Sequence, residues 1–240
     1  MHVLQADPEP HLGEWIHSFR QYRFTEDDGA DFTLYPGTGA ELWIILSGQL
    51  RHAGLPLGDG VVCLRSRRLV LKQAGLRVFS MRIRAGALPL FAEQPLIDLI
   101  DRYTPMNALW SDFSGLSLIR QIGRCPDFDE QCRLAEALLS SRLHHARRLE
   151  HMQTMAALIY ENSADFSLGD YAGELECNRS HLSRQFRETQ GVSAKYFHRL
   201  CRFERFLRTA LYTPQGSLAE LALDHGYYDQ AHMHHDVRRI

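Results

Sequence analysis

Basic and hydroxyl side chains are concentrated in one short stretch, CNRSHLSRQFRETQGV, in the C-terminal third of the chain. Leu182 and Phe186 lie four residues apart in it, which predicts a helix with a narrow buried side. The remaining faces would carry its polar side chains: Arg179, Ser180, Ser183, Arg184 and Arg187. Arginine can donate two hydrogen bonds to guanine, and serine can contact several bases. These residue types at this spacing favour a helix that lies in the DNA major groove over an ordinary solvated helix.

Positive charge is concentrated around this helix, although the whole chain has a net charge of −2. Residues 178 to 208 contain eight lysines and arginines against two acids, Glu188 and Glu204, and carry a net charge of +6. The preceding residues 161 to 176 contain five acids and no lysine or arginine. A local basic surface is enough to displace counterions from DNA phosphates, so a near-neutral protein can still bind DNA.

The C-terminal region contains an internal repeat. SLGDYA at 167–172 recurs as SLAELA at 217–222, an offset of 50 residues. A cap and two apolar anchors recur with an offset of 51: Asn178, Leu182 and Phe186 in the first copy, and Asp229, Met233 and Val237 in the second. Serine, asparagine and aspartate are favoured helix N-caps. Each copy therefore predicts a helix-turn-helix motif, and residues 193–212 predict one long helix between the copies.

The second copy predicts another recognition helix in DQAHMHHDVRRI. Gln230, His232, His234 and His235 would be exposed on it. Glutamine suits adenine, and histidine can donate to a phosphate or to guanine. Asp236 suits phosphates poorly and histidine is mostly uncharged at pH 7. A solvated helix is therefore a stronger alternative here than for the first copy.

These segments together resemble the DNA-binding domain of the AraC/XylS family of bacterial transcription regulators. The resemblance extends from SLGDYA through NRSHLSRQFRETQGVS and RFERFLRTAL to SLAELALDHGYYDQ. It implies two recognition helices in successive major-groove segments, joined by a long helix. It also implies two sets of base-reading positions: Ser180, Ser183 and Arg184 with Arg179 and His181 nearby, and Gln230, Ala231, His232, His234 and His235.

The sequence departs from the family pattern at a few positions. Phe206 stands where alanine is usual, which predicts altered packing of the connecting helix. His235 replaces a common arginine, and Val237 replaces a phenylalanine. The sequence stops at Ile240, before the closing aromatic segment that is usual in the family, so we expect weaker support for the second motif.

The N-terminal part is predicted to be rich in β-strands. Short β-branched and aromatic segments occur up to about residue 90, separated by glycine and proline: FTLYP, ELWIILSGQL, GVVCL, RLVLK and RVFSMRIRAG. Beyond that point the periodicity becomes helical. The predicted fold class is α+β, with a barrel-like N-terminal domain followed by an all-α domain of two helix-turn-helix motifs. The family resemblance implies that the first domain is a cupin-like sensor.

Three regions are predicted along the chain. Residues 1–123 would form the sensor or assembly domain, 124–149 a helical connector, and 150–240 the DNA-binding domain. The connector has a leucine stripe through Leu134, Leu138, Leu139 and Leu143. This stripe indicates either core packing or a dimer contact.

Several classes of protein are disfavoured by composition. The five cysteines form no C-x-x-C pair, which predicts reduced thiols in the cytoplasm. The chain has no apolar run near the ~18–20 residues of a membrane span. A cupin-type enzyme would need a metal held by histidines and a carboxylate. Only His52 falls in the predicted strands, so we expect no enzyme, metal or cofactor.

An anionic effector is a further hypothesis. Residues 51 to 84 hold eight arginines and lysines against one acid, Asp59. Inward-pointing bases could bind an anion, whereas the alternation of a strand favours placing them on the outer face.

The favoured function is a sequence-specific DNA-binding transcription regulator that responds to a signal through its N-terminal domain. Candidate partners are double-stranded DNA, a small-molecule effector, RNA polymerase and a second copy of the chain. The alternatives are a helical protein-interaction module without DNA binding and, less favoured, a cupin-type enzyme.

Overall fold

The structure is a computed structural model of the 240-residue chain, and it describes residues 1–25, 28–144, 147–212 and 217–238. Its N-terminal half is an antiparallel sheet. The strands are β1 (His2–Ala6), β2 (Ile16–Arg23), β3 (Asp31–Leu34), β4 (Ala40–His52), β5 (Leu55–Leu57), β6 (Gly60–Val62), β7 (Leu69–Ile83) and β8 (Tyr103–Pro105). The order is β1-β2-β7-β4-β6-β8, with β3 against β7 and β5 against β4.

Two strands, β1 and β2, precede the first strand segment predicted from the sequence. The expectation that His52 is the only strand histidine is therefore wrong, because His2 and His17 also lie on strands. In β2 the residues Ser18, Phe19 and Gln21 are all buried. Both faces of this strand are covered, so the alternation that marks a half-exposed strand is missing.

The long strands β4 and β7 supply side chains to two hydrophobic cores. Leu42, Ile44 and Phe79 lie in the first core, and Trp43 and Val78 lie in the second. Consecutive residues such as Leu42 and Trp43 lie in different cores, because successive side chains of a strand point to opposite faces of the sheet.

Helices α2 (Phe113–Arg124) and α3 (Phe128–Arg142) cover the first core of the sheet. Of the predicted leucine stripe, Leu138 and Leu139 are fully buried, and Leu134 and Leu143 are half-buried against the same core. Core packing therefore accounts for the stripe.

The region between the sheet and these helices is less helical than its sequence pattern predicts. Leu96–Asp98 forms one short 3-10 turn, and α1 (Met106–Leu109) has four residues. Asp101 adopts a φ of 60°, a left-handed conformation that ends any helix there.

The predicted helical order of the C-terminal half is confirmed. It consists of α4 (Arg147–Glu161), α5 (Leu168–Glu174), α6 (Arg179–Gln190), α7 (Ala194–Tyr212), α8 (Leu218–Asp224) and α9 (Gln230–Val237). The four predicted caps, Ser167, Asn178, Ser217 and Asp229, all accept hydrogen bonds from backbone N–H groups in the first turn. The predicted join between α3 and α4 falls partly on residues 145 and 146, outside the described residues.

Each helix-turn-helix motif has its own core, and α7 contributes to both. Leu182, Phe186 and Phe197 belong to the core that joins α4, α5, α6 and the first half of α7. The smaller second core joins the later part of α7 to α8 and α9, and its buried members are Phe206, Leu221, Ala222, Tyr227 and Met233. The side chain of Val237, the other predicted anchor, lies outside the described residues.

The structure shows how Phe206 packs at the position where the family resemblance leads us to expect alanine. Its ring is 6% exposed and makes edge-on contacts with the rings of His225 and Tyr227. Phe206 therefore gives the second motif a larger apolar anchor than an alanine would.

No helix in the described part of the chain is both long and apolar enough to cross a membrane.

Candidate DNA-binding surface

Helix α6 is fixed firmly at both ends. At its start, Asn178 Oδ1 accepts hydrogen bonds from the N–H groups of Ser180 at 2.8 Å and His181 at 3.2 Å. At its end, Gly191 has a φ of 73°, and a Cβ there would come within 2.8 Å of the Ile97 nitrogen. Only glycine combines that conformation with such a close approach. The helix therefore has a fixed position against the N-terminal domain.

The outer face of α6 carries most of the predicted contact residues. Exposed on it are Arg179, Ser180, His181, Arg184 and Arg187, while Ser183 is half-buried. Leu182 and Phe186 are buried on the opposite side, as predicted.

The side chain of Arg184 is 69% exposed and only loosely held. Its Nη2 lies 3.2 Å from His181 Nδ1, and its Nε lies 3.9 Å from Glu188 Oε1. Exposed ion pairs of this kind contribute little to stability. Within the described residues, no acid pairs with Arg179 or Arg187. The cations of α6 are therefore available to a ligand.

The two acids of the basic segment contact other elements. Glu188 pairs with Arg148 of α4. Glu204 of α7 accepts hydrogen bonds at 2.7 Å from both the N–H and the hydroxyl of Thr38, in the sheet domain. Sequence reasoning counted both acids only as charge, because their partners lie 40 and 166 residues away. Both acids are therefore engaged by protein groups, and the exposed arginines determine the positive charge on the outer face of α6.

Helix α9 exposes Gln230, Ala231, His234 and His235. His232 differs from its expected exposure, because it is half-buried. Its Nδ1 accepts a hydrogen bond from the Tyr228 N–H at 3.2 Å, and its ring packs edge-on against the Tyr227 ring. The imidazole thus takes part in the packing of the second motif.

Among the described residues, no three histidine, cysteine or acidic side chains lie together as a metal site would require. Two neighbouring histidines that could also bind a metal, His144 and His145, fall partly outside those residues.

A cavity of about 550 Å³ lies between the sheet and helices α4 and α7. Its charged and polar walls come from both domains: Glu14, His17, Glu41, Arg65, Arg82 and Arg84 from the sheet domain, and Gln153, Thr154, Tyr160, Glu161, Glu204 and Arg208 from the helices. No sequence signal marked this cavity, because its two walls are distant in the chain.

Only some of the bases between residues 51 and 84 reach this cavity. Arg65, Arg82 and Arg84 line it, and Arg82 Nε is paired with Glu41 Oε1 at 2.9 Å. Arg51 and Lys72 are on the exposed surface, as the alternative interpretation expected. Burial, and then the charges of Arg82 and other arginines, lower the pKa of His17 to about 4, so this wall carries a neutral imidazole at pH 7.

A sheet domain followed by two capped helix-turn-helix motifs on a shared helix defines a DNA-binding protein of the helix-turn-helix class. Residues 171–240 match the family model of a helix-turn-helix domain, which is of the AraC type. The match confirms the prediction of a DNA-binding regulator with an AraC-type helix-turn-helix domain. No curated protein matches the chain.

Solved structures of ToxT from Vibrio cholerae are similar to this fold. ToxT bound to (E)-4-(8-methylnaphthalen-1-yl)but-3-enoic acid shares 14% identity over 92% of this chain and 94% of its own, with a TM-score of 0.50. A second ToxT structure has 12% identity over 92% and 93% of the two chains and a TM-score of 0.47. At 14% identity the likeness to the acid-bound ToxT structure concerns the fold alone, and it agrees with the predicted α+β class.

Proposed function

We propose that this protein is a sequence-specific transcription regulator that reads duplex DNA with α6 and α9. The observation that carries the proposal is the outer face of α6, where Arg179, Arg184 and Arg187 are exposed while Glu188 and Glu204 are engaged by other elements. Arg184 reads a base, and Arg179 and Arg187 contact phosphates. On α9, Gln230 and His234 are the side chains best placed to reach base edges.

Substitution of Arg184 tests this assignment. Arg184→Ala should weaken binding to the preferred duplex by about 1–3 kcal/mol and relax the preference at one position. Arg120→Ala is a control on an exposed arginine of α2, in the other domain, and should bind like wild type. Unchanged sequence preference in Arg184→Ala would contradict the role of α6. Absence of DNA binding by the folded protein would favour the interaction module.

We also propose that the cavity between the domains binds an organic acid that acts as effector. ToxT, which has a similar fold, has been solved with a butenoic acid derivative bound. In this chain, Arg84 and Arg208 are exposed at the cavity and have no ionic partner among the described residues. The two guanidinium groups could therefore bind a carboxylate, beside the neutral His17.

Thermal unfolding with a panel of aliphatic and aromatic carboxylates tests the effector proposal. A binding acid should raise the Tm of wild type, and Arg208→Gln should reduce that shift. The matched alcohols serve as controls for apolar binding. Equal shifts with acids and alcohols, or none with any acid, would contradict an anionic effector.

The contact of Glu204 with Thr38 lies beside this cavity and connects the effector site to α7.

We propose that the regulator acts in the bacterial cytoplasm, as a homodimer at its operator and together with RNA polymerase. A solution mass that stays monomeric at all concentrations and on operator DNA would contradict the homodimer. If the rate of transcription from an operator-bearing promoter is the same with and without the protein, the role with RNA polymerase is contradicted.

A further inference from the structure

Arg202 of α7 holds three parts of the second motif with one side chain. Its Nη1 donates to the Gly226 carbonyl at 3.1 Å, in the turn between α8 and α9. Its Nη2 donates to Asp236 Oδ2 of α9 at 2.8 Å. Its Cζ lies 4.6 Å from the centre of the Tyr227 ring. The planar, forked guanidinium is suited to binding two acceptors while stacking on an aromatic ring.

Asp236 is an unusual residue for a helix that faces DNA. Its side chain is 7% exposed, and that of Arg202 is 14% exposed. An exposed carboxylate here would repel phosphates, whereas this one lies beneath the helix. A buried ion pair adds little net stability, but the loss of one partner leaves an uncompensated charge. The pair therefore strongly disfavours arrangements of α9 in which Asp236 leaves Arg202.

The orientation of α9 needs more than one anchor. The helix has eight residues, a length that is marginal without tertiary support. Met233 is buried against the second core and fixes one point. Asp236 lies three residues later on the same side of the helix, so its bond to Arg202 fixes a second point. Two such points set the rotation of the helix about its axis, in which one residue corresponds to about 100°.

We propose that Arg202 and Asp236 are positioning residues that set the rotation of α9 and thereby determine which side chains read the second DNA element. Neither residue contacts DNA. The pair keeps Gln230 and His234 facing outward. This inference rests on the proposed function, in which α9 reads bases.

Asp236→Asn is the decisive variant, because two accounts predict opposite signs. If the acid only repels DNA, its removal should tighten binding. If it positions α9, the loss of the charge should weaken binding to a duplex carrying both preferred elements by about tenfold, the value of one lost base contact. Binding to the same duplex with the second element scrambled should stay within twofold of wild type.

Asp224→Asn is the matched control. Asp224 is an exposed acid on α8 in the same motif, and its substitution makes the same charge change. It should bind both duplexes as tightly as wild type, or slightly more tightly. Asp236→Asn binding like Asp224→Asn would overturn the inference.

Arg202→Lys separates positioning from a phosphate contact. Lysine keeps the charge but cannot form the fork and the stack together. Positioning predicts that Arg202→Lys weakens binding only where the second element is intact. Equal weakening on both duplexes would overturn the inference.

Binding to the scrambled duplex also reports folding, because the first motif has its own core. A wild-type protein that does not distinguish the two duplexes would overturn both the proposed reading by α9 and this inference. Wild-type discrimination that Asp236→Asn retains would overturn the inference alone.

Discussion

Phe206→Ala should unfold the second helix-turn-helix motif while leaving the first one folded. Phe206 is one of five buried members of the second core, and its ring contacts His225 and Tyr227. The first motif has a separate core around Phe186 and Phe197. Replacing the benzyl side chain of Phe206 by a methyl group therefore removes the largest apolar contact between α7 and the pair α8 and α9.

The expected loss in the free energy of unfolding follows from the burial of the Phe206 ring. Removing a well-buried phenylalanine side chain costs about 3–5 kcal/mol, and the ring of Phe206 is 6% exposed. The whole stability of a domain is only about 5–15 kcal/mol. The second motif is a small part of its domain, so a loss of this size should populate a state in which α8 and α9 are open.

Hydrogen exchange and DNA binding together test this prediction. Backbone amides of α8 and α9 should lose protection in Phe206→Ala, while those of α6 keep it. Binding should become insensitive to the second DNA element and stay sensitive to the first. Phe186→Ala is the mirror variant, since Phe186 is fully buried in the first core and should expose α6 instead.

Uniform loss of protection in both motifs would refute the account of two separate cores. Protection of α8 and α9 that stays at the wild-type level would refute the anchoring role of Phe206.

Further predictions concern single residues. Arg179→Ala should weaken binding to all sequences and reduce the slope of log K against log salt by about 1, as measured by fluorescence anisotropy; an unchanged slope would exclude a phosphate contact. Asn178→Ala should cost about 1 kcal/mol in urea unfolding through loss of the α6 cap, while Asn178→Asp should keep the cap and most of the stability. Lowering the pH from 7 towards 4 should destabilise the protein through His17, because the unfolded histidine gains a proton near 6.5 and the folded one only near 4; a urea midpoint with the same pH dependence in His17→Gln would contradict this. Glu204→Gln should weaken the contact with Thr38 and speed tryptic separation of the two domains; unchanged cleavage would show that this contact does not hold them.

Local signals were sufficient to predict the order of the helices in the C-terminal half. Capping is a contact between a side chain and backbone two or three residues away, so Asn178 and Asp229 could be identified as helix starts from sequence. The apolar anchors Leu182 and Phe186 follow from helical period alone. The departure at Phe206 also indicated where packing would change.

Contacts between distant residues were not predictable in this way. Glu204 and Thr38 are 166 residues apart, and Arg202 and Asp236 are 34 apart. No local pattern marks such a pair, and a single sequence contains no record of it. Strand β2 was not identified as a separate segment for a different reason, since burial on both of its faces leaves no regular alternation.

Selection of bound duplexes from a randomised library, at low and at moderate salt, tests the central claim most directly. Two recognition helices in successive major grooves predict an enriched site with two elements about one helical turn apart. Higher salt should reduce total binding but keep both elements, since phosphate contacts carry the salt dependence and base contacts carry the sequence. Enrichment of a single element would contradict base reading by α9. No enriched sequence from folded protein at either salt, with and without an acid that binds the cavity, would contradict the sequence-specific regulator.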